Sequence, residues 1–172
     1  MLKSDRILIV DDERSLCEFL EIFLSKEGYN VSTCPGGAEA VALASEVEFD
    51  LVLTDLMMPN VGGIEVLTAF KERFPETQVL VMTAYATADT AISAMKLGAY
   101  DYVQKPFKVD EIKLLIEKAL HQRRLLIENR ALRAEVHRKY SFHNLIGRSA
   151  PMRDVFEMIS RVADTRTSVL IT

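Results

Sequence analysis

A chain of 172 residues has room for one full domain plus a linker or a partial second unit, and not for two ordinary domains. With 49% hydrophobic and 27% charged residues it has the balance of a soluble globular protein, which excludes the disordered and fibrous classes. A formal charge of -4 leaves no basic footprint for nucleic acid over the chain as a whole.

The chain opens with a short apolar run, Ile7 to Val10, that ends in acids, so it is read as neither a signal peptide nor a membrane span, and a cytoplasmic location is expected. Five runs rich in Val, Ile, Leu or aromatics predict strands at Arg6 to Val10, Asn30 to Thr33, Leu51 to Thr54, Val79 to Thr83 and Asp101 to Val103. Most lack alternation, as parallel strands covered on both faces do. Helical spacing fills the gaps: Leu16, Leu20, Phe23 and Leu24, with a stop at Gly28, then Ala38 to Ser45, Ile64 to Phe74 and Thr87 to Leu97. Ile112, Leu115, Ile116 and Ala119 mark one face of a fifth helix. The pattern is α/β, a (βα)5 doubly wound parallel sheet of expected order 2-1-3-4-5, with its ligand crevice at the carboxyl ends of strands 1 and 3. Cys17 and Cys34 have no metal-ligand spacing and are expected to stay reduced thiols.

The chemistry collects at those strand ends. The first strand runs into Asp11-Asp12 and the third into Asp55, so three carboxylates from two adjacent strands share one crevice. Such a cluster protonates, spreads apart or binds a cation, and all-oxygen ligation without His or Cys suits Mg2+. Taken singly, Asp11 and Asp12 read equally well as helix caps, and Asp55 as the opening of a turn before Pro59. The fourth strand, however, ends in the hydroxyl of Thr83, and the fifth is followed by Lys105. Acids, hydroxyl and ammonium at successive strand ends are what phosphoryl transfer to an aspartate requires.

The segments ILIVDDE, LVLTDLMMPNVGGIEVL, VMTAYA and GAYDYVQKPF strongly resemble the receiver domain of bacterial response regulators, over about residues 5 to 120. The resemblance implies that Asp55 is the phosphoacceptor, that Asp12 and Asp55 bind Mg2+ directly with the Met57 backbone carbonyl, and that Asp11 acts through water. It further implies that Thr83 and Lys105 contact the phosphoryl group, that Pro106 follows a cis peptide, and that Tyr102 turns inward when Thr83 moves. No position of the motif set departs from the family pattern.

Beyond Ala119 no stop signal appears, and Leu120 to Tyr140 contains neither Gly nor Pro, which predicts one continuous helix. Between His121 and Tyr140 six basic residues stand against two acidic ones, a shift that marks a different structural unit. Leu125, Asn129, Leu132 and Val136 fall at spacings of four, three and four, a short heptad seam for a parallel homodimer. From Asn144 the pattern gives a turn at Gly147 to Pro151, an amphipathic helix carrying Met152, Val155, Ile159 and Val162, and a strand from Ser168 to Thr172. This segment resembles the opening of the AAA+ ATPase domain of NtrC-type sigma-54-dependent transcription activators. The expected organisation is a receiver over 1–120, a helical coiled-coil linker over 121–143 and a truncated AAA+ start over 144–172. No G-x-x-x-x-G-K-[ST] occurs, so ATP hydrolysis is not expected of this chain, which is read as a fragment cut before the phosphate loop.

The function implied is phosphorylation-controlled regulation, with a sensor histidine kinase as donor and, in a longer parent, ATP, sigma-54 RNA polymerase and DNA as partners. The rival enzyme reading is a haloacid-dehalogenase-like phosphatase using Asp55; it needs a second Asp two residues on, where Met57 stands. A flavodoxin-like cofactor binder needs a Ser/Thr/Gly phosphate loop after the first strand, where this chain has acids.

Overall fold

The computed structural model describes residues 5–84, 88–142, 145–146 and 149–162. Strand and helix alternate as β1 (Arg6–Val10), α1 (Arg14–Lys26), β2 (Asn30–Cys34), α2 (Gly37–Glu46), β3 (Leu51–Asp55), α3 (Gly63–Arg73), β4 (Gln78–Thr83), α4 (Ala88–Lys96), β5 (Asp101–Gln104) and α5 (Val109–Tyr140). The five strands form one sheet in the order β2-β1-β3-β4-β5, every neighbouring pair parallel. The (βα)5 architecture expected from the sequence is the one observed, and element ends differ from the predicted ones by only a residue or two.

Alternation along each strand divides the core. Leu8, Val10, Val52, Val79 and Val81 point to one face, where Ala40 and Ala44 of α2 and Val66, Leu67 and Phe70 of α3 cover them. Ile7, Ile9, Leu51, Leu53, Leu80 and Met82 point to the other, under Leu20 and Leu24 of α1 and Ile112, Ile116, Ala119 and Leu120 of α5. At about 1.5–3 kcal/mol for each large apolar side chain removed from water, these two layers dominate the favourable side of folding. They also explain why β3 and β4 read as continuous apolar runs. The turn out of α1 is fixed locally: Gly28 adopts φ 93, and its N–H bonds to Ser25 O at 3.0 Å while Tyr29 N–H bonds to Leu24 O at 3.2 Å. Only glycine enters that left-handed conformation without a Cβ penalty, so the predicted stop is a Schellman turn.

The chain divides into two compact units, 1–126 and 127–172, and the division falls inside α5. In the second unit a two-stranded antiparallel hairpin, β6 (Ser141–Phe142) and β7 (Leu145–Ile146), precedes α6 (Ala150–Val162). The hairpin was not anticipated. On α6 the expected apolar face of Met152, Val155, Ile159 and Val162 is corrected: Phe156 is the buried residue at 4% exposure, and Val155 is 46% exposed. The inward stripe runs Met152, Phe156, Ile159, a spacing of four then three, because the larger aromatic side chain gains more from burial than Val155 does. The turn at Gly147 and the strand from Ser168 lie outside the described residues. No described helix is long and apolar enough to cross a membrane.

Both cysteines are buried and free. Burial, reinforced by the charge of Asp11, pushes the Cys17 thiol up to about 11, and burial raises Cys34 as well. Since the thiolate is the nucleophile, the folded chain should release no chromophore from Ellman's reagent at pH 8 on a timescale of minutes, and two equivalents after denaturation. Rapid reaction of the folded chain would contradict this packing.

Candidate functional site

Parallel pairing places the chemistry. Val10 lies in register with Thr54, so the residues that follow them, Asp11 and Asp55, stand side by side at the carboxyl rim of the sheet. Thr83 pairs with Gln104, and Lys105 N–H bonds to Thr83 O at 2.7 Å, which carries the ladder one residue further and delivers the lysine to the same rim. Leu56 N–H to Met82 O at 2.8 Å and Asp11 N–H to Cys34 O at 3.2 Å extend the ladder in the same way.

Lys105 sits between the two inner acids. Its Nζ donates to Asp11 Oδ2 at 2.6 Å and to Asp55 Oδ2 at 2.9 Å. The other oxygen of each acid is also engaged: Asp11 Oδ1 accepts Glu13 N–H at 3.0 Å, and Asp55 Oδ1 accepts Met57 N–H at 3.2 Å. Each carboxylate is thus oriented by a turn N–H on one side and by the shared ammonium on the other. Burial pushes the Asp11 carboxyl above its ordinary range, against the lowering effects of Lys105 and the Glu13 N–H. For Lys105 burial pulls downward, but hydrogen bonds and charges from Asp11 and Asp55 together hold its ammonium above the usual lysine value.

Asp12 completes the cluster from the exposed side. One oxygen each from Asp11, Asp12 and Asp55 lies within 4.8 Å of the others. A set of hard oxygen donors with no imidazole or thiolate fits a hard divalent cation. Met57 lies in the loop beside Asp55 with its side chain 70% exposed.

Thr83 is buried at the end of β4, and Tyr102 of β5 is half-exposed. The two line one hollow of about 10 Å³ with Leu56, Val81, Thr90, Ala91 and Ala94. That is the size of a single water, so the tyrosine ring has no room there unless the walls move. The Lys105-Pro106 peptide is cis. Of the expected seam, Leu125 and Leu132 are exposed, as is Asn129, and the Val136 side chain lies outside the described residues.

Gly63 is not among the residues expected at the site. It opens α3, and a Cβ built there would collide with the Asp55 carbonyl oxygen. The sequence carries the pair Gly62-Gly63 at this point, and the structural reason for the second glycine is the close approach of α3 to the backbone of Asp55.

The comparisons agree with this geometry. The response regulator receiver domain family matches residues 7–117, and the chain belongs to it. Among curated proteins it is 38% identical over 166 residues to the transcriptional regulatory protein ZraR of Escherichia coli (strain K12), covering 96% of this chain and 36% of that protein. It is 33% identical over 171 residues to the regulatory protein AtoC of the same strain, covering 99% of this chain and 37% of that one. The chain therefore spans little more than a third of the curated relatives it matches. Among solved structures, a CheY-like receiver domain from Methanospirillum hungatei JF-1 is 27% identical with a TM-score of 0.69, covering 71% of this chain and 98% of its own. NtrX from Brucella abortus is 32% identical with a TM-score of 0.71, covering 95% of this chain and 35% of its own. The chain is a two-component receiver, a module of phosphorylation-dependent regulation, and the phosphatase reading is not favoured.

Gly63→Ala should force α3 away from β3 and lower stability by roughly 1–3 kcal/mol, the range for overpacking, as a drop in urea midpoint without a change in slope. A midpoint shift worth less than about 0.5 kcal/mol would show that the contact is not tight.

Proposed function

We propose that Asp55 accepts a phosphoryl group from a phosphohistidine on a sensor histidine kinase and that the acyl phosphate switches the state of a longer transcription activator. The observation that carries this reading is the single ammonium of Lys105 bonded to Asp11 and Asp55 at once, beside the third carboxylate of Asp12. An Asp55 oxygen forms a bond to phosphorus as the P–N bond breaks and the imidazole leaves. Asp12, Asp55 and the Met57 carbonyl would hold Mg2+, with Asp11 reaching it through water, and the site would gain from it charge neutralisation for the phosphoryl transfer. Lys105 turns its ammonium to donate to one phosphoryl oxygen and Thr83 turns its hydroxyl to another. As Thr83 moves, the hollow it shares with Tyr102 opens and the ring turns inward, shifting a population already present.

The broader assignment rests on the relatives. ZraR is named a transcriptional regulatory protein, and this chain aligns with it over nearly its whole length. We assign residues 1–120 to the receiver, 121–143 to a helical linker and 144–172 to the start of an AAA+ domain. The parent is a cytoplasmic sigma-54-dependent activator whose partners are ATP, sigma-54 RNA polymerase and DNA. The exposed Leu125, Asn129 and Leu132, with Val136, form the seam of a homodimer.

Incubation with acetyl phosphate and Mg2+ should add one phosphoryl group, mapped to Asp55 by mass spectrometry, acid-stable and base-labile. Asp55→Ala should take up none. Uptake by Asp55→Ala, or turnover of many phosphate esters by the unaltered chain, would reject the reading in favour of another acceptor or of a phosphatase.

A further inference from the structure

The buried stripe of α5 runs through Ile112, Ile116 and Leu120 at intervals of four, and the next position on that face, three residues on, is Arg123. Apolar packing of the helix onto the sheet stops at Leu120, yet the Arg123 side chain is only 11% exposed. Its guanidinium closes on two acids together. Nη2 donates to Glu48 Oε1 at 2.6 Å, and Nη1 meets Asp50 Oδ1 at 2.6 Å.

These acids belong to the segment that leads into β3, at the opposite end of that strand from Asp55. Asp50 is shared further: its second oxygen accepts the backbone N–H of Arg6, the first residue of β1, at 2.6 Å. The Arg6 guanidinium in turn lies 5.1 Å from the centre of the Phe49 ring. Next along the helix, Arg124 pairs with Asp5 at 2.7 Å. Arg123 Nε is buried with no hydrogen-bond partner among the described residues. The residue is therefore placed by its two-pronged fork and not by full satisfaction of the side chain, a task for which lysine, a single point of charge, is no substitute. An ordinary surface ion pair is exposed on both sides and contributes little. Here the arginine is mostly buried, Asp50 is 23% exposed and Glu48 52%, and the fork spans two separate acids at the start of two strands.

We propose that Arg123 is a latch that holds the turn of α5 beyond Leu120 against the base of the receiver. Its charged fork replaces apolar packing over residues 121–126 and fixes which face of the helix is outward there. Leu125, 52% exposed, lies roughly 200° around the helix from Arg123 at about 100° per residue, and so faces away from the latch. All of these contacts lie within the first unit, and none involves Asp55.

Hydrogen exchange measured by mass spectrometry on the whole 172-residue chain tests it. In Arg123→Gln the amides of 121–126 should exchange about tenfold faster or more, while those of β1, β3 and β4 keep their rates. Arg123→Lys should exchange nearly as fast as Arg123→Gln, because one ammonium does not span both acids, and Glu48→Gln should give a smaller rise in the same amides. Unchanged exchange at 121–126 in Arg123→Gln, full protection in Arg123→Lys, or no rise in Glu48→Gln would each overturn the two-acid latch. An equal rise through β1, β3 and β4 would overturn it too, since the arginine would then be a support of the whole fold.

Discussion

Carboxylates crowded at one edge of a protein repel one another, and the arrangement at the rim of this sheet is shaped by how that repulsion is met. Two unit charges about 4 Å apart cost roughly 4 kcal/mol at an effective dielectric near 20, and here oxygens of Asp11, Asp12 and Asp55 lie within 4.8 Å. Lys105 meets the inner pair with one ammonium, and the turn N–H groups of Glu13 and Met57 take up the remaining inner oxygens. One internal ammonium thus serves two of the three acids. On the proposed reading, a divalent ion and a phosphoryl group would offer those acids and that lysine alternative partners, and binding at the rim would thereby gain leverage over the surroundings.

The fold supplies the leverage at both ends of β3. Its five residues carry Asp55 at one end, and Asp50 stands just before the other, about 17 Å away at strand rise. The first acid faces the Lys105 ammonium at the rim. The second faces the Arg123 fork, where α5 leaves the receiver core. Between them the strand is buried on both faces and has little freedom of its own. Near the rim, Thr83 and Tyr102 share a hollow too small for a side chain. A two-state element needs such a place, because close-packed interiors change by discrete repacking rather than by gradual deformation.

Much of this was legible in the sequence, because the signals were local and mutually consistent. Unalternating apolar runs alternating with helical spacing dictate a parallel sheet, and once its order is set, Asp11, Asp55, Thr83 and Lys105 have to share a rim. What escaped was non-local. The role of Gly63 has no local signal, because nothing in one sequence says that α3 passes against the Asp55 carbonyl. Arg123 and Arg124 read as part of a basic linker because their partners, Glu48, Asp50 and Asp5, are more than 70 residues away along the chain. On α6, Val155 and Phe156 are neighbours in sequence, and only packing decides which of them turns inward.

Lys105 and a divalent cation would compete for the same carboxylates, and calorimetric titration of Lys105→Met with Mg2+ puts that competition to the test. Removing the ammonium leaves three acids with no cation of their own, so the variant should bind Mg2+ about tenfold or more tightly than the unaltered chain, a change of about 1.4 kcal/mol or more. Equal or weaker binding would mean that the lysine does not neutralise the cluster, and the electrostatic account of the rim would fail.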